Sequence, residues 1–219
     1  MSFRTVSEDL FELLCAQRSV ACSRIPRDSG RTADYRVTLR QQQVVVEVKQ
    51  LDPSPEETDL RRTWGTPRSP GALAPSDRIQ GLLLDGYAQI KRSSQAALPA
   101  MIIVYNNSGP WNWIDSFTVS KAMLGSYAVV VGLHANREMD VVGSGYLGQR
   151  TVTKNTLRSL SAVGVIQQRG IDTVTLDCYH NPFASIPIDE ASMSRLADLQ
   201  YIHPNPHDRG FVPWEPKKI

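Results

Sequence analysis

The chain has little of several features that mark common classes of protein. Its three cysteines, Cys15, Cys22 and Cys178, are too few and too irregularly spaced for a disulfide framework or a zinc site. No run approaches the ~18 apolar residues of a membrane span, and the first ten residues, MSFRTVSEDL, lack the apolar segment of a secretion signal. We therefore expect a cytoplasmic protein with reduced thiols and no membrane partner.

Motifs of several enzyme and binding classes are also missing. The sequence has no Gly-rich phosphate loop, which argues against an enzyme that acts on a small phosphate-containing molecule, and no G-x-S-x-G elbow of a serine hydrolase. It contains neither a helix-turn-helix pattern nor a zinc finger. A net charge of +2 gives no overall attraction for nucleic acid, so any basic surface must be local.

The most informative stretch that is present is the valine-rich run VVVEVK at 44–49. Alternate side chains of an extended strand share a face, so Glu47 and Lys49 are presented side by side. The preceding segment predicts a partner strand that begins at Asp34, and a tight turn at 40–41 would set Asp34 opposite Glu47. The register is a condition of this prediction, because a shift of one residue moves Asp34 to the other face and the turn lacks the usual glycine or asparagine.

Asp34, Glu47 and Lys49 together favour one kind of chemistry. Two carboxylates beside a lysine form an oxygen-rich site of the kind that binds Mg²⁺ or Mn²⁺. The lysine can orient or help deprotonate a metal-bound water and stabilise charge that builds on a phosphate. The pattern therefore predicts metal-dependent phosphodiester hydrolysis. The alternative, a solvated ion pair of Glu47 and Lys49 on a half-exposed strand, leaves Asp34 without a role.

The order of these residues resembles that of the PD-(D/E)xK nuclease superfamily, which has the restriction-endonuclease-like fold. Asp34 is followed by the E-x-K run at 47–49 on a hydrophobic strand, and Glu12 lies upstream in the helical segment LFELL. The resemblance covers about 7–105, less than half of the chain. One departure is Ala33, which stands where the family has a proline before the aspartate.

The resemblance implies a role for each matching residue. Asp34 and Glu47 would bind the metal, together with the carbonyl of Val48. Lys49 would position the attacking water, and Glu12 would complete the site from the first helix. The helical spacing puts Glu8 beside Glu12, away from the leucine stripe, so which of the two reaches the site is left open.

We expect a single α/β domain over residues 1–219. A restriction-endonuclease-like core at about 7–105, with a central mixed sheet flanked by helices, would be elaborated by a C-terminal α/β extension at about 106–219. Periodicity and capping residues predict the individual elements. Helices are predicted at 7–18, 78–94, 154–160 and 192–199, and strands at 20–26, from 34, at 44–49, 100–105, 127–133, 163–167 and 173–179.

The proline-rich stretch at 51–77 lacks apolar periodicity and predicts a long flexible surface loop. It contains Arg61, Arg62 and Trp64. Arginines suit phosphates and an aromatic ring suits base stacking, so this loop is a candidate flap that contacts DNA. A linker whose charges only keep it soluble is the alternative.

Further nucleic-acid contacts are expected on the next helix, at Gln89 and Lys91. The family resemblance implies that a polar or basic residue here approaches the scissile phosphate, whereas the alternative is an ordinary polar helix face. The function predicted overall is a DNA endonuclease that uses Mg²⁺ or Mn²⁺, with DNA preferred to RNA as the partner. The alternative is a catalytically silent nuclease-fold module that binds nucleic acid or a partner protein. A homodimer would suit the cutting of two strands, but the sequence contains no coiled-coil signal.

Overall fold

The computed structural model describes residues 4–26, 32–62, 75–94, 98–109, 114–134, 139–203 and 211–215. The helices are α1 (Val6–Gln17), α2 (Pro55–Arg62), α3 (Pro75–Ser94), α4 (Ser116–Leu124) and α5 (Glu190–Met193). The strands are β1 (Ala21–Arg24), β2 (Tyr35–Leu39), β3 (Gln42–Leu51), β4 (Ala100–Asn106), β5 (Ser126–Leu133), β6 (Met139–Leu147), β7 (Ala162–Gln168), β8 (Val174–His180), β9 (Leu199–Ile202) and β10 (Val212–Pro213). Within these described ranges, every helix is too short or too polar to cross a membrane.

Eight strands form one mixed sheet in the order β1-β2-β3-β4-β7-β8-β9-β10. The first three strands form an antiparallel meander, and β4 joins β3 in parallel. A parallel neighbour requires a crossover connection, which here contains α3. Strand β7 lies parallel to β4 on its other side, and β8 pairs with β7 in the antiparallel direction. The predicted α/β class, with a central mixed sheet flanked by helices, is confirmed.

Strand β3 is buried on both faces, since helices cover each side of the sheet. Val44 and Val46 belong to a core that includes Phe11 of α1. Val45, on the other face, belongs to a second core with Ile79 of α3. Each buried valine of this kind stabilises the fold by about 1.5–3 kcal/mol relative to an exposed one. The alternation predicted for the VVVEVK run is therefore observed.

A two-residue turn sets the register between β2 and β3. Leu39 pairs with Gln42 and Tyr35 pairs with Val46 across the hairpin. Arg40, in the turn, has a φ of 53°, the left-handed region in which glycine or asparagine is usual. The hairpin thus forms with the predicted register despite an unfavourable turn residue.

The prediction of an unbroken loop at 51–77 is wrong, because α2 lies within it. Ser54 caps this helix: its Oγ accepts a hydrogen bond from the N–H of Glu57 at 3.2 Å, and its own N–H donates to Glu57 Oε2 at 2.7 Å. Arg78 of α3 donates to both carboxylate oxygens of Glu57, at 3.0 and 3.1 Å. Helix α2 is therefore stabilised by its N-terminal cap and by an ion pair with α3, which a search for apolar periodicity does not detect. Residues 63–74 lie outside the described residues.

Three predictions in the C-terminal half are also wrong. The segment 154–160 forms turns instead of a helix. The strand predicted as buried at 127–133 is real, but it pairs with β6 in a separate two-stranded ribbon, and several of its valines are exposed. The helix predicted at 192–199 is replaced by the shorter α5 and by β9, which pairs in parallel with β8. Apolar runs of this length cannot be separated into core strands, ribbons and helices by periodicity alone.

Candidate active site

The β2–β3 hairpin brings Asp34 and Glu47 together. Asp34 directly precedes the pair Tyr35 and Val46, so continuation of the register sets it opposite Glu47. Its Oδ2 accepts a hydrogen bond from the N–H of Val48 at 3.0 Å, and its carboxyl is close enough to raise the pKa of Glu47. The proximity predicted from the sequence is observed.

Glu47 is the buried acid of this group, with 2% of its surface exposed. Its Oε1 lies 3.0 Å from Lys49 Nζ. Its Oε2 is buried and has no hydrogen-bond partner among the described residues. Loss of hydration, followed by the Asp34 carboxylate, raises the pKa of Glu47 to about 8, and Lys49 offsets this only in part. Near neutral pH, Glu47 therefore holds a proton or requires a cation.

Lys49 is held by three acceptors, which match the three N–H bonds of its ammonium group. The acceptors are Glu47 Oε1 at 3.0 Å, Asp85 Oδ2 at 2.6 Å and Gln89 Oε1 at 2.6 Å. Burial alone would lower the pKa of Lys49, but the carboxylates of Asp85 and Glu47 raise it overall. Lys49 is therefore a fixed positive charge in the site.

Helix α3 supports both parts of the group. Gln89 Nε2 donates to the carbonyl of Thr32 at 3.5 Å, and Ser93 Oγ, one turn further along, accepts from the N–H of Ala33 at 2.7 Å. These bonds hold the segment that leads into Asp34. The same side of α3 that anchors the lysine therefore also anchors the aspartate.

Asp85 was not predicted as a site residue, although its spacing from Gln89 indicates that the two lie on one helix face. It precedes Gln89 by four residues, so the two share a helix face. The helix can approach β3 closely here because Gly86 has no side chain. A Cβ atom at Gly86 would lie 3.1 Å from Ile102 Cδ1 and 3.3 Å from Lys49 Cε. Gly86 thus leaves room for the lysine stem beneath the helix.

Glu12 is not brought to this group. Its helix, α1, packs on the opposite face of β3. The Glu12 carboxylate accepts hydrogen bonds from Arg24 Nε and from the Tyr35 hydroxyl, both at 2.9 Å, and it also pairs with Arg4. Burial would raise the pKa of Glu12, but these hydrogen bonds outweigh it and lower the pKa to about 2.

Glu8 lies on the same side of the sheet as Glu12. Its Oε2 accepts a hydrogen bond from the N–H of Thr5 at 2.8 Å in a capping box, and its Oε1 lies 3.6 Å from Arg24 Nη2. Tyr35, which bonds to Glu12, follows Asp34 at the start of β2 and packs in the core on the other face, with Phe11 of α1. Both helical glutamates belong to an arginine cluster across the sheet from Lys49.

The residues predicted to contact nucleic acid divide into three groups. Gln89 joins the site through Lys49. Lys91 is exposed near the end of α3, and Arg62 is exposed at the end of α2, 4.0 Å from Asp59. Trp64 and the side chain of Arg61 lie outside the described residues.

Asp34 and Glu47 offer carboxylate oxygens that could bind a metal ion. In the described part of the chain, no three His, Cys, Asp or Glu side chains are grouped as metal ligands. Two carboxylates, one with an unsatisfied buried oxygen, nevertheless suit Mg²⁺, which keeps several waters and commonly uses one or two protein carboxylates. A cation at Asp34 and Glu47 would take its other ligands from backbone, water and substrate.

Backbone geometry adds Val48 to this oxygen set. The N–H of Val48 points to Asp34, and in an antiparallel strand the carbonyl of the same residue points to the same side. In the β2–β3 register Ala33 would be the partner of Val48, but its N–H donates to Ser93. The Val48 carbonyl therefore points to the same side of β3 as Asp34 and does not accept the ladder bond from Ala33.

The arrangement combines two close carboxylates, a carbonyl and a fixed ammonium along a rigid strand. Such a group can bind a hard cation on one side and donate a hydrogen bond to a nucleophile or an anion on the other. Comparison of the chain with protein-family models, with curated proteins and with solved structures finds no match.

Proposed function

We propose that this protein is a metal-dependent nuclease that hydrolyses phosphodiester bonds in DNA, with Asp34, Glu47 and Lys49 as its active site. The observation that carries the proposal is the buried carboxyl of Glu47 beside that of Asp34, because Glu47 Oε2 accepts no hydrogen bond from the described residues. Buried polar atoms that serve only the fold are nearly always hydrogen-bonded. A cation between the two carboxylates would account for this exception.

The proposal includes a restriction-endonuclease-like core. Its support is the order α1, the antiparallel strands β1 to β3, the crossover helix α3, and β4 parallel to β3. This is the order of elements that the resemblance implies, and it brings the E-x-K strand to the interior of the sheet. The eight-stranded sheet and the β5–β6 ribbon would be elaborations of that core.

Asp34, Glu47 and the Val48 carbonyl would hold Mg²⁺ or Mn²⁺. Such a cation, when bound, stabilises charge on the phosphate and lowers the pKa of a coordinated water. Glu47 would bind it as a carboxylate and release its proton, because metal ligands must be deprotonated. Glu12 is left out of the proposed site, since its carboxylate is held by arginines on the opposite face of the sheet.

Lys49 would orient the attacking water and stabilise charge on the scissile phosphate. All three of its donors are taken in the structure, so a water or phosphate oxygen must replace one acceptor. Asp85 is the acceptor to be replaced, because its side chain is 47% exposed whereas that of Glu47 is 2% exposed. Gln89 would keep the ammonium in position during the exchange.

The test is a cleavage assay on supercoiled plasmid, linear duplex, single-stranded DNA and RNA, with Mg²⁺, Mn²⁺ or EDTA. We expect DNA cleavage that needs the metal and is lost in Asp34→Ala and Lys49→Ala. Matched controls are Asp172→Ala and Lys154→Ala, which change exposed residues outside the site and should cleave as the wild type does. Undiminished cleavage by the site variants would contradict the assignment. Retained DNA binding without cleavage under any condition would favour the silent binding module.

A further inference from the structure

Two cysteines lie side by side where α1 leads into β1. Cys15 belongs to the last turn of α1, and Cys22 of β1 packs against the core that contains Cys15. The thiol of Cys15 donates a hydrogen bond to the sulfur of Cys22, and neither cysteine is in a disulfide. Thiol pairs that form disulfides in a reducing compartment usually do so transiently, in redox sensing or catalysis.

The turn between α1 and β1 holds the two thiols together. The N–H of Val20 donates to the carbonyl of Cys15 at 2.9 Å, and the N–H of Ser19 donates to the carbonyl of Ala16 at 3.1 Å. Ser19 has a φ of 51°, which reverses the chain directly after the helix. Val20 and, two residues later, Cys22 then line the same cavity as Cys15. The contact between the thiols is therefore fixed by backbone hydrogen bonds.

A cavity of about 630 Å³ that opens to solvent lies beside both thiols. Cys22 is partly exposed, whereas Cys15 is only 2% exposed. Among the described residues, the charged side chains that line this cavity are Arg4, Arg24 and Glu12. A small uncharged oxidant can therefore reach Cys22 more readily than Cys15.

The two thiols differ in how readily they ionise. The hydrogen bond from Cys15 is the largest effect on Cys22 and lowers its pKa. Arg24 acts in the same direction, whereas burial and Glu12 oppose it. The same hydrogen bond, together with burial, raises the pKa of Cys15. Redox-sensing cysteines combine a low pKa, access to solvent and a neighbouring second thiol, and Cys22 meets all three conditions.

We propose that Cys22 and Cys15 form a thiol-oxidation site that reacts with hydroperoxides and closes to a disulfide. The Cys22 thiolate attacks one peroxide oxygen, so that an S–O bond forms, the O–O bond breaks and the leaving oxygen takes a proton. The Cys15 sulfur then attacks the sulfur of the Cys22 sulfenic acid, an S–S bond forms, and the hydroxide that leaves takes the proton of Cys15. The two thiols lose two electrons, and one hydrogen peroxide becomes two waters.

The thiol pair is separate from the proposed active site. It belongs to the core on the α1 face of the sheet, whereas Lys49 contacts α3 on the other face. Oxidation of the pair uses neither the metal nor the cleavage chemistry. Failure of one proposal therefore leaves the other standing.

Mass spectrometry of the full chain tests the proposal, because trypsin separates the three cysteines. Cleavage after arginine gives peptides 5–18 and 19–24 with one cysteine each, while Cys178 falls in 170–195. After hydrogen peroxide treatment of the native protein and blocking of the remaining thiols, we expect peptides 5–18 and 19–24 to be joined, and dithiothreitol to separate them. The link should form at least about tenfold faster than Cys178 is oxidised, because Cys178 is fully buried and burial raises its pKa.

Serine variants separate the roles of the two thiols. In Cys15→Ser, the sulfenic acid on Cys22 has no second thiol and should be trapped by dimedone on peptide 19–24. In Cys22→Ser, Cys15 should stay reduced at peroxide concentrations that oxidise the wild type. The matched control is Cys178→Ala, which removes the remaining cysteine and should form the link at the wild-type rate.

Several outcomes would overturn the proposal, and the first three are read from the wild type without any variant. One is that all three thiols stay reduced under a peroxide exposure that oxidises glutathione added to the same sample. The others are a sulfenic acid on Cys22 that persists without a link to Cys15, and a link between two chains that appears as a dimer on a non-reducing gel. Oxidation of Cys15 at the wild-type rate in Cys22→Ser would equally contradict the assigned roles.

Discussion

Lys49 Nζ lies 3.0 Å from Oε1 of Glu47, two residues earlier on the same strand face, while Oε2 of Glu47 is buried without a partner among the described residues. One ammonium therefore faces the carboxyls of Glu47 and Asp85, and Asp34 adds a third beside Glu47. Three carboxyls around one ammonium leave the site with too little positive charge when all three are ionised. A proton on Glu47 or a divalent cation can supply what is missing.

Glu47→Gln should be more stable than the wild type at alkaline pH. A pKa raised from 4.5 to about 8 means that the folded protein binds this proton more tightly than the unfolded chain. The resulting stability is complete below the unfolded pKa and is lost as the pH rises through about 8. Glutamine keeps the shape without the charge, so we expect a gain in unfolding free energy of roughly 1–3 kcal/mol near pH 9 and little near pH 5.

Urea unfolding in EDTA at several pH values measures this difference. The control is Glu215→Gln, an exposed glutamate outside the site, which should track the wild type at every pH. If Glu47→Gln also tracks the wild type from pH 5 to 9, the pKa of Glu47 is not raised.

Mg²⁺ should stabilise the folded protein more at higher pH. The cation competes with the proton on Glu47, whose pKa is about 8, so binding strengthens as the pH rises toward and through that value. We expect the Mg²⁺-induced rise in Tm to be larger near pH 8.5 than near pH 6, and to be small in Asp34→Asn at both. Calorimetric scans with and without millimolar Mg²⁺ test this. An equal rise at both pH values, or a full rise in Asp34→Asn, would contradict a metal at these carboxylates.

Asp85→Asn should change the pH dependence of cleavage. Asp85 helps to raise the pKa of Lys49, so loss of its charge lowers that pKa. Because the proposed role needs the ammonium form, the alkaline limb of the kcat/KM profile should move to lower pH. Measuring kcat/KM between about pH 7 and 11 gives the position of this alkaline limb, with Asp172→Ala as the control. If Asp85 only held the fold, the rate would fall without any movement of the limb.

Gly86→Ala should slow cleavage without removing the metal. The added methyl group would lie 3.3 Å from Lys49 Cε and 3.1 Å from Ile102, so the lysine stem or the helix must shift. We expect roughly a tenfold loss of kcat, equivalent to about 1.4 kcal/mol, with most of the Mg²⁺-induced stabilisation retained.

Gly81→Ala on the same helix is the matched control for Gly86→Ala. A Cβ at Gly81 meets nothing within 4 Å, so this variant should cleave normally and gain about 0.5–1 kcal/mol from helix propensity. Equal activity of the two variants would indicate that close packing at Gly86 does not position Lys49.

The centre of the candidate site could be predicted from local sequence patterns. Alternation in VVVEVK is a local property of an extended chain, so it assigned Glu47 and Lys49 to one face, opposite Val44 and Val46. The length of the β2–β3 turn then set Asp34 opposite Glu47. These relations depend on neighbouring residues and on the geometry of one hairpin, which is why they could be predicted.

Which helix covers which face of β3 could not be predicted, because it depends on long-range packing. α1 packs opposite Lys49, which separates Glu12 from the candidate site, and α3 packs over it, which adds Asp85. The tertiary structure also decided that β5 pairs with β6 in a ribbon outside the main sheet. Periodicity determines which side of an element is apolar, whereas the partner that covers that side depends on contacts between residues far apart in the chain.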